Sequence, residues 1–199
     1  MKKYEAVFLD RDGTINEEVG YLDSIDKLKI FANTVEAIKM VNESGMKAVV
    51  ITNQSGIARG YFSEEFVKKI HARIQKTLKA KGAFIDAFYY CPHHPEGVGI
   101  YQQSCECRKP EAGLLIAASQ DMDIDLTRSY VVGDMVKDIQ MAIKVEAKGI
   151  LVKTGYGLDV IQKDLKSSLA ENYQPSYIAE DILDAVKWIM NDRMKNKPG

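Results

Sequence analysis

The sequence predicts an α/β fold with a parallel central sheet flanked by helices, on three observations. Short apolar runs rich in Val and Ile recur along the chain, as in strands buried on both faces. Helical patterns separate these runs, and strands alternating with helices argue for a parallel sheet. Three runs stop abruptly in polar turns, and open α/β sheets hold their ligands at the carboxyl ends of strands.

Ala6 to Leu9 is the first run, ending in Asp10-Arg11-Asp12-Gly13-Thr14. Glu17 to Phe31 mixes Gly, Tyr and charge and reads as a loop over the site. Thr34 is placed as the cap of a helix through Ser44, with Val35, Ile38 and Val41 on one face and Gly45 as its stop. Lys47 to Ile51 is the second strand, ending in Thr52-Asn53-Gln54-Ser55-Gly56. Ser63 opens a helix to about Lys81, with Phe66, Ile70, Ile74 and Leu78 at helical spacing. Phe84 to Tyr90 reads as the third strand, and Cys91 to Lys109 as an irregular loop. A helix over Glu111 to Met122 follows, then a strand from Ser129 to Val132 that ends at Gly133-Asp134. Asp134 is a candidate cap for the helix that runs to about Ala147. Gly149 to Val152 is the fifth strand. Helical patterns over Leu158 to Ala170 and Glu180 to Met190 precede a polar tail, Asn191 to Gly199, expected to be disordered.

The 199 residues suffice for one domain with a full core, and no linker or repeat divides them. Hydrophobic content of 46% and charged content of 28% are those of a soluble globular protein. A net charge of −1 gives no global electrostatic case for nucleic acid or membranes. No apolar stretch is long enough to span a bilayer, and MKKYEAVFLD runs straight into the first strand without a signal-peptide pattern. The expectation is a cytoplasmic, monomeric enzyme acting on a small molecule.

Asp10 and Asp12 converge only if the chain leaves extended geometry after Asp10, a turn that Gly13 permits. Close carboxylates repel unless a cation lies between them or one is protonated, and Mg²⁺ suits all-oxygen ligands. An Asp-x-Asp alone is usually an acidic surface turn; the preceding apolar strand and following Gly-Thr favour a site. Thr52 offers a hydroxyl, Asp134 a third carboxylate, and Asp138 support one helical turn on. Lys109 is a compact cation able to neutralise a phosphoryl group. No G-x-x-x-x-G-K-[ST] sequence is present, so a P-loop enzyme is not supported.

All three cysteines lie between Cys91 and Cys107, beside two of the three histidines. Cys91, His93, Cys105 and Cys107 fit a tetrahedral, structural zinc site, against buried thiols or a redox site as alternatives. His94 is the spare, and His71, in the long helix, reads as a surface residue. A metal would organise a loop that has no core of its own and ends at Arg108-Lys109.

DxDGT at Asp10 to Thr14, TNQSG at Thr52 to Gly56, RKP at Arg108 to Pro110 and GDxxxD at Gly133 to Asp138 resemble the four signatures of the haloacid dehalogenase (HAD) superfamily. The resemblance implies a Rossmann-like HAD fold. It also implies Asp10 as nucleophile, Asp12 as acid and base, and Thr52 and Lys109 as phosphoryl-binding residues. Magnesium would be held by Asp10, Asp134 and the Asp12 backbone carbonyl. With the motifs CPHHPEG and CECRKP, the stretch from about Glu5 to Gly157 is similar to the D-glycero-D-manno-heptose 1,7-bisphosphate 7-phosphatase family. It is also similar to the related histidinol-phosphate phosphatase domain. The first likeness implies a role in making precursors of nucleotide-activated heptose for lipopolysaccharide or other surface glycans. By matched position, Glu18, Val19, Gly20, Tyr21, Thr52, Asn53, Gln54, Ser55, Arg108 and Lys109 line the substrate pocket. Met135 stands where the heptose enzymes often have Lys. No large cap domain is expected, because only a short loop separates the first two motifs.

Overall fold

The computed structural model describes residues 3–163 and 173–195. Its elements are β1 (Ala6–Leu9), α1 (Thr34–Glu43), β2 (Lys47–Asn53), α2 (Glu64–Lys79), β3 (Ala87–Cys91), α3 (Gly113–Met122), β4 (Tyr130–Gly133), α4 (Val136–Lys144), β5 (Lys148–Val152), α5 (Gly157–Lys163), β6 (Tyr177–Ala179) and α6 (Ile182–Lys195). The six strands form one parallel sheet in the order β3-β2-β1-β4-β5-β6. The chain winds outward from β1 to β3, then restarts beside β1 with β4. The carboxyl ends of β1 and β4 therefore flank the crevice where the strand order reverses, the place where such sheets bind ligands.

Alternation along the strands builds two cores. Val7 and Leu9 of β1 face Ile38 and Val41 of α1, Ile70 and Ile74 of α2, and Val186 and Ile189 of α6. Ala6 and Phe8 point the other way, onto Leu115 and Ala118 of α3 and Met141 and Ala142 of α4. Both faces of β1 are thus dry, which is why its four residues are all apolar. Burying each large side chain contributes roughly 1.5–3 kcal/mol. Among the described residues there is no cap domain, so the cleft is walled by loops, strand ends and the start of α4.

Several elements differ from expectation. Asn33, not Thr34, is the cap residue of α1; the Thr34 hydroxyl instead donates to the Ile15 carbonyl at 2.9 Å. Ser63 does cap α2, accepting from the Phe66 amide at 3.3 Å. β3 starts later than expected because Asp86 turns back to accept from the Ala48 amide and Lys47. Asp134 does not cap α4. Met135 is the cap residue, and Asp138 reaches back to accept from its amide at 3.1 Å. β6 went unforeseen, and α6 runs through Asn191 to Lys195, so that part of the tail is helical. The expected helix over Leu158 to Ala170 is present as α5 to Lys163; its remainder, and the last four residues of the tail, lie outside the described residues.

Candidate active site

β1 delivers Asp10 to the crevice and then turns sharply. Gly13 takes φ +81°, which L side chains rarely adopt. A Cβ there would lie 2.1 Å from Asp134 Oδ2, and one on Gly155 would also lie 2.1 Å from that atom. Two glycines from distant loops thus make room for the Asp134 carboxylate. It accepts from the Tyr156 amide at 2.9 Å.

Lys109 Nζ is buried between Asp10 Oδ1 at 2.7 Å and Asp138 Oδ1 at 2.6 Å, with the Ile51 carbonyl at 3.3 Å. Burial disfavours its charge, but the two carboxylates outweigh this and raise its pKa, keeping it protonated. Its backbone is held on both sides by Asn53, which accepts from the Lys109 amide at 3.0 Å and donates to its carbonyl at 3.2 Å. Asp10, Asp134 and Asp138 present carboxylate oxygens within 4.8 Å of one another. Burial, then the charges of Asp10 and Asp138, push Asp134 up to about 8. Burial likewise raises Asp10, against the pull of Lys109.

Asp12 is pinned. Oδ1 accepts from Arg11 Nε at 3.1 Å and Asn16 at 2.9 Å; Oδ2 accepts from Arg11 Nη2 at 2.6 Å and Gln54 at 3.0 Å. Burial pushes its carboxyl up, but the Arg11 charge and these hydrogen bonds win and hold it below the usual value. Arg11 is almost fully buried, and its Nη1 lies 3.5 Å from His71 Nε2. His71 is therefore not on the surface: it is buried, stacked on Phe88 at 4.6 Å. Burial, then the Arg11 charge, lowers its pKa to about 3.

Asp10, Asp12, Lys109 and Asp134 line a polar cleft of about 160 Å³ with Glu18, Gly20, Tyr21, Thr52, Asn53, Ser55, Arg108, Met135, Lys137 and Tyr156. Two expected pocket residues are not on its wall. Val19 is exposed, and Gln54 is buried, donating to Thr52 Oγ1 at 2.9 Å as well as to Asp12. The spacing of the motifs gave no sign of Arg11, Lys137, Gly155 or Tyr156. Only the two glycines of Thr154-Gly155-Tyr156-Gly157 signal a close approach.

The cysteine loop closes on itself beside this cleft. Sulfur separations are 3.5 Å for Cys91–Cys105, 3.1 Å for Cys91–Cys107 and 3.2 Å for Cys105–Cys107. His93 Nδ1 is 3.3 Å from Cys107 Sγ and 3.9 Å from Cys91 Sγ. These lengths are too great for disulfides. They are close to the edge of a zinc tetrahedron, about 3.7 Å for a Zn–S distance of about 2.3 Å. His94 lies outside the cluster, against Arg59 at 3.3 Å. The His93 carbonyl accepts from Arg108 Nη1 at 3.1 Å, tying the loop to the cleft.

A buried lysine and clustered carboxylates at the switch point of a parallel sheet define a hydrolase of the haloacid dehalogenase-like class. A family described as HAD-hyrolase-like matches residues 106–185. Within that class the relatives are specific. The D-glycero-D-manno-heptose-1,7-bisphosphate 7-phosphatase of Thermosynechococcus vestitus is 43% identical, covering 92% of this chain and 94% of that protein. The D-glycero-beta-D-manno-heptose-1,7-bisphosphate 7-phosphatase of Pasteurella multocida is 42% identical, covering 95% and 97%. The crystal structure of the D,D-heptose 1,7-bisphosphate phosphatase from B. bronchiseptica, complexed with magnesium and phosphate, superposes with a TM-score of 0.83. Its identity is 28%, over 94% of this chain and 99% of that one. The chain belongs to the D-glycero-D-manno-heptose-1,7-bisphosphate 7-phosphatase family.

Proposed function

We propose that the chain, as a single domain over 1–199 and as a monomer, removes the 7-phosphate of D-glycero-D-manno-heptose 1,7-bisphosphate. The observation that carries the reading is the convergence of Asp10, Lys109 and Asp134 on one cleft at the switch point. Near-full-length relatives named for that reaction support the substrate. No described helix is long and apolar enough to cross a membrane.

The donor set fits magnesium. Three buried carboxylates face one ammonium, so the site lacks positive charge, and hard oxygen donors suit that ion. Both Asp138 oxygens are engaged, by Lys109 and by the Met135 amide, so Asp138 holds Lys109 rather than a metal. Asp10 and Asp134 each keep one oxygen that accepts no hydrogen bond among the described residues. With the Asp12 carbonyl, these oxygens would hold the ion. Bound there, magnesium supplies positive charge to the phosphoryl oxygens. Cys91, His93, Cys105 and Cys107 fit structural zinc, three soft sulfurs and one imidazole in a compact cluster.

The residues then divide the work. Asp10 attacks phosphorus and forms an aspartyl-phosphate, which water hydrolyses. Lys109, kept protonated, and the Thr52 hydroxyl meet the charge on the transferring group. Asp12 starts ionised, parked on Arg11. Rotating away from that guanidinium removes what holds its carboxyl down and leaves burial, which raises it. Asp12 can then take up a proton from solvent and donate it to the leaving alkoxide; left ionised by that transfer, it accepts a proton from the water that attacks the aspartyl-phosphate. Glu18, Gly20, Tyr21, Asn53, Ser55 and Arg108 form the wall that faces the sugar.

The test is a substrate panel: both anomers of the heptose bisphosphate, histidinol phosphate and a simple aryl phosphate, each with Mg²⁺. Preference for a heptose bisphosphate is expected. Preference for histidinol phosphate would replace the substrate reading, and no turnover of any phosphomonoester would leave only a binding scaffold.

A further inference from the structure

The cleft presents three cations, Arg108, Lys109 and Lys137. Lys109 is committed to Asp10 and Asp138. Arg108 donates to the His93 carbonyl and makes no ion pair among the described residues. Lys137 is half-buried on the cleft wall and has no carboxylate within salt-bridge reach among those residues. It is nonetheless close enough for its charge to act on both Asp10 and Glu18.

Its place in the chain is unfavourable for folding. Lys137 lies in the first turn of α4, the positive end of the helix dipole, where a cation is disfavoured and an anion welcome. A half-buried ammonium there, without a paired carboxylate, is best explained by an anion that arrives with the substrate. The reacting phosphoryl group already has Lys109. A second dianionic phosphate would enter a cleft lined by Asp10, Asp12, Glu18 and Asp134, and would be repelled unless cations met it.

We infer that Lys137 is a specificity-determining residue that, with Arg108, holds the phosphate that is not hydrolysed. The inference rests on the bisphosphatase reading. Arg108 comes from the cysteine loop and Lys137 from α4, so the two are presented by separate elements. The planar guanidinium fixes orientation, while the ammonium acts as a point charge. Met135 places no charge on this wall, which leaves Lys137 as the cation that α4 supplies.

The experiment compares wild type, Lys137→Met and Lys137→Arg on the heptose bisphosphate and on heptose 7-phosphate. Lys137→Met should lose kcat/KM on the bisphosphate by roughly tenfold to a hundredfold more than on the monophosphate, chiefly through KM. Lys137→Arg should recover most of that loss. Equal losses on both substrates would overturn the inference, placing Lys137 at the reacting phosphoryl or among the carboxylates. No loss on either would overturn it as well. A wild type that turns over heptose 7-phosphate but does not favour the bisphosphate would overturn the substrate reading itself, whatever the variants do.

Discussion

At the scale of single residues, Asp10 and His71 behave in opposite ways to the same burial. Asp10, the nucleophile we propose, is a buried carboxylate kept near a fixed ammonium. Asp10→Asn removes the nucleophile without changing side-chain volume, so kcat should fall by roughly a thousandfold or more while thermal unfolding stays cooperative. Turnover near the wild-type rate would exclude Asp10 as the nucleophile. His71 is buried neutral behind Arg11, with its pKa lowered to about 3 from 6.5. Between those values the unfolded chain binds a proton that the folded chain refuses. The stability that neutral His71 allows is therefore present above about pH 6.5 and lost as pH falls toward 3, by up to about 1.4 kcal/mol per unit. Urea unfolding from pH 7 to pH 4 should show that slope flattened in His71→Gln, whatever the substitution costs at pH 7. An unchanged slope would mean that His71 titrates alike in both states.

At the scale of elements, the cysteine loop is held in two ways. The Cys₃His cluster anchors both of its ends, and Glu64 at the start of α2 latches its middle. One Glu64 oxygen accepts from Tyr90 at 2.5 Å, the other from Tyr101 at 2.8 Å. The two anchors predict separable failures. Cys105→Ser should lower zinc below one per chain and reduce activity, because Arg108 and Lys109 follow the cluster directly. Glu64→Ala should keep its zinc but speed amide exchange over residues 98–104. Elemental analysis and hydrogen exchange on both variants separate the cases, and zinc-free wild type would remove the metal from the account. Legibility also divides at this scale. β1, β2 and β4 were readable because burial on both faces forces unbroken apolar runs, and their polar ends mark Asp10, Thr52 and Asp134. The cysteine cluster was readable because its residue types rarely gather without cause. β6 is a three-residue edge strand, too short for a period to show. His71 sits on the apolar face of α2 near Ile70 and Ile74, and only the tertiary partner Arg11 explains a histidine there. Asp134 looked like a cap because the true capping contact comes from Asp138, reaching back.

For the whole molecule, the remaining question is which phosphate leaves, and the architecture bears on it directly. The two phosphates of the substrate differ in reach: one is on a primary carbon at the end of a flexible arm, the other on the ring. Asp10 lies on the floor of the cleft, beneath loops from β1, β2, β3, β4 and β5, and Lys109 is almost fully buried beside it. A phosphate on an exocyclic arm can descend to that floor while the ring stays at the mouth. The anomeric phosphate could do so only by dragging the ring down with it, into a volume of about 160 Å³. Arg108, which donates to the His93 carbonyl and lines the cleft with Lys109, is the residue we propose to hold the phosphate left behind. Selectivity therefore comes from the pocket, since the carboxylates can act on any phosphomonoester. Phosphorus NMR of the reaction should show inorganic phosphate and a retained anomeric phosphate. Arg108→Ala should lower kcat/KM for the bisphosphate more than for an aryl phosphate. Release of the anomeric phosphate, or an equal loss on both substrates, would mean that the ring enters the cleft in the reverse sense and that Arg108 serves the reacting group.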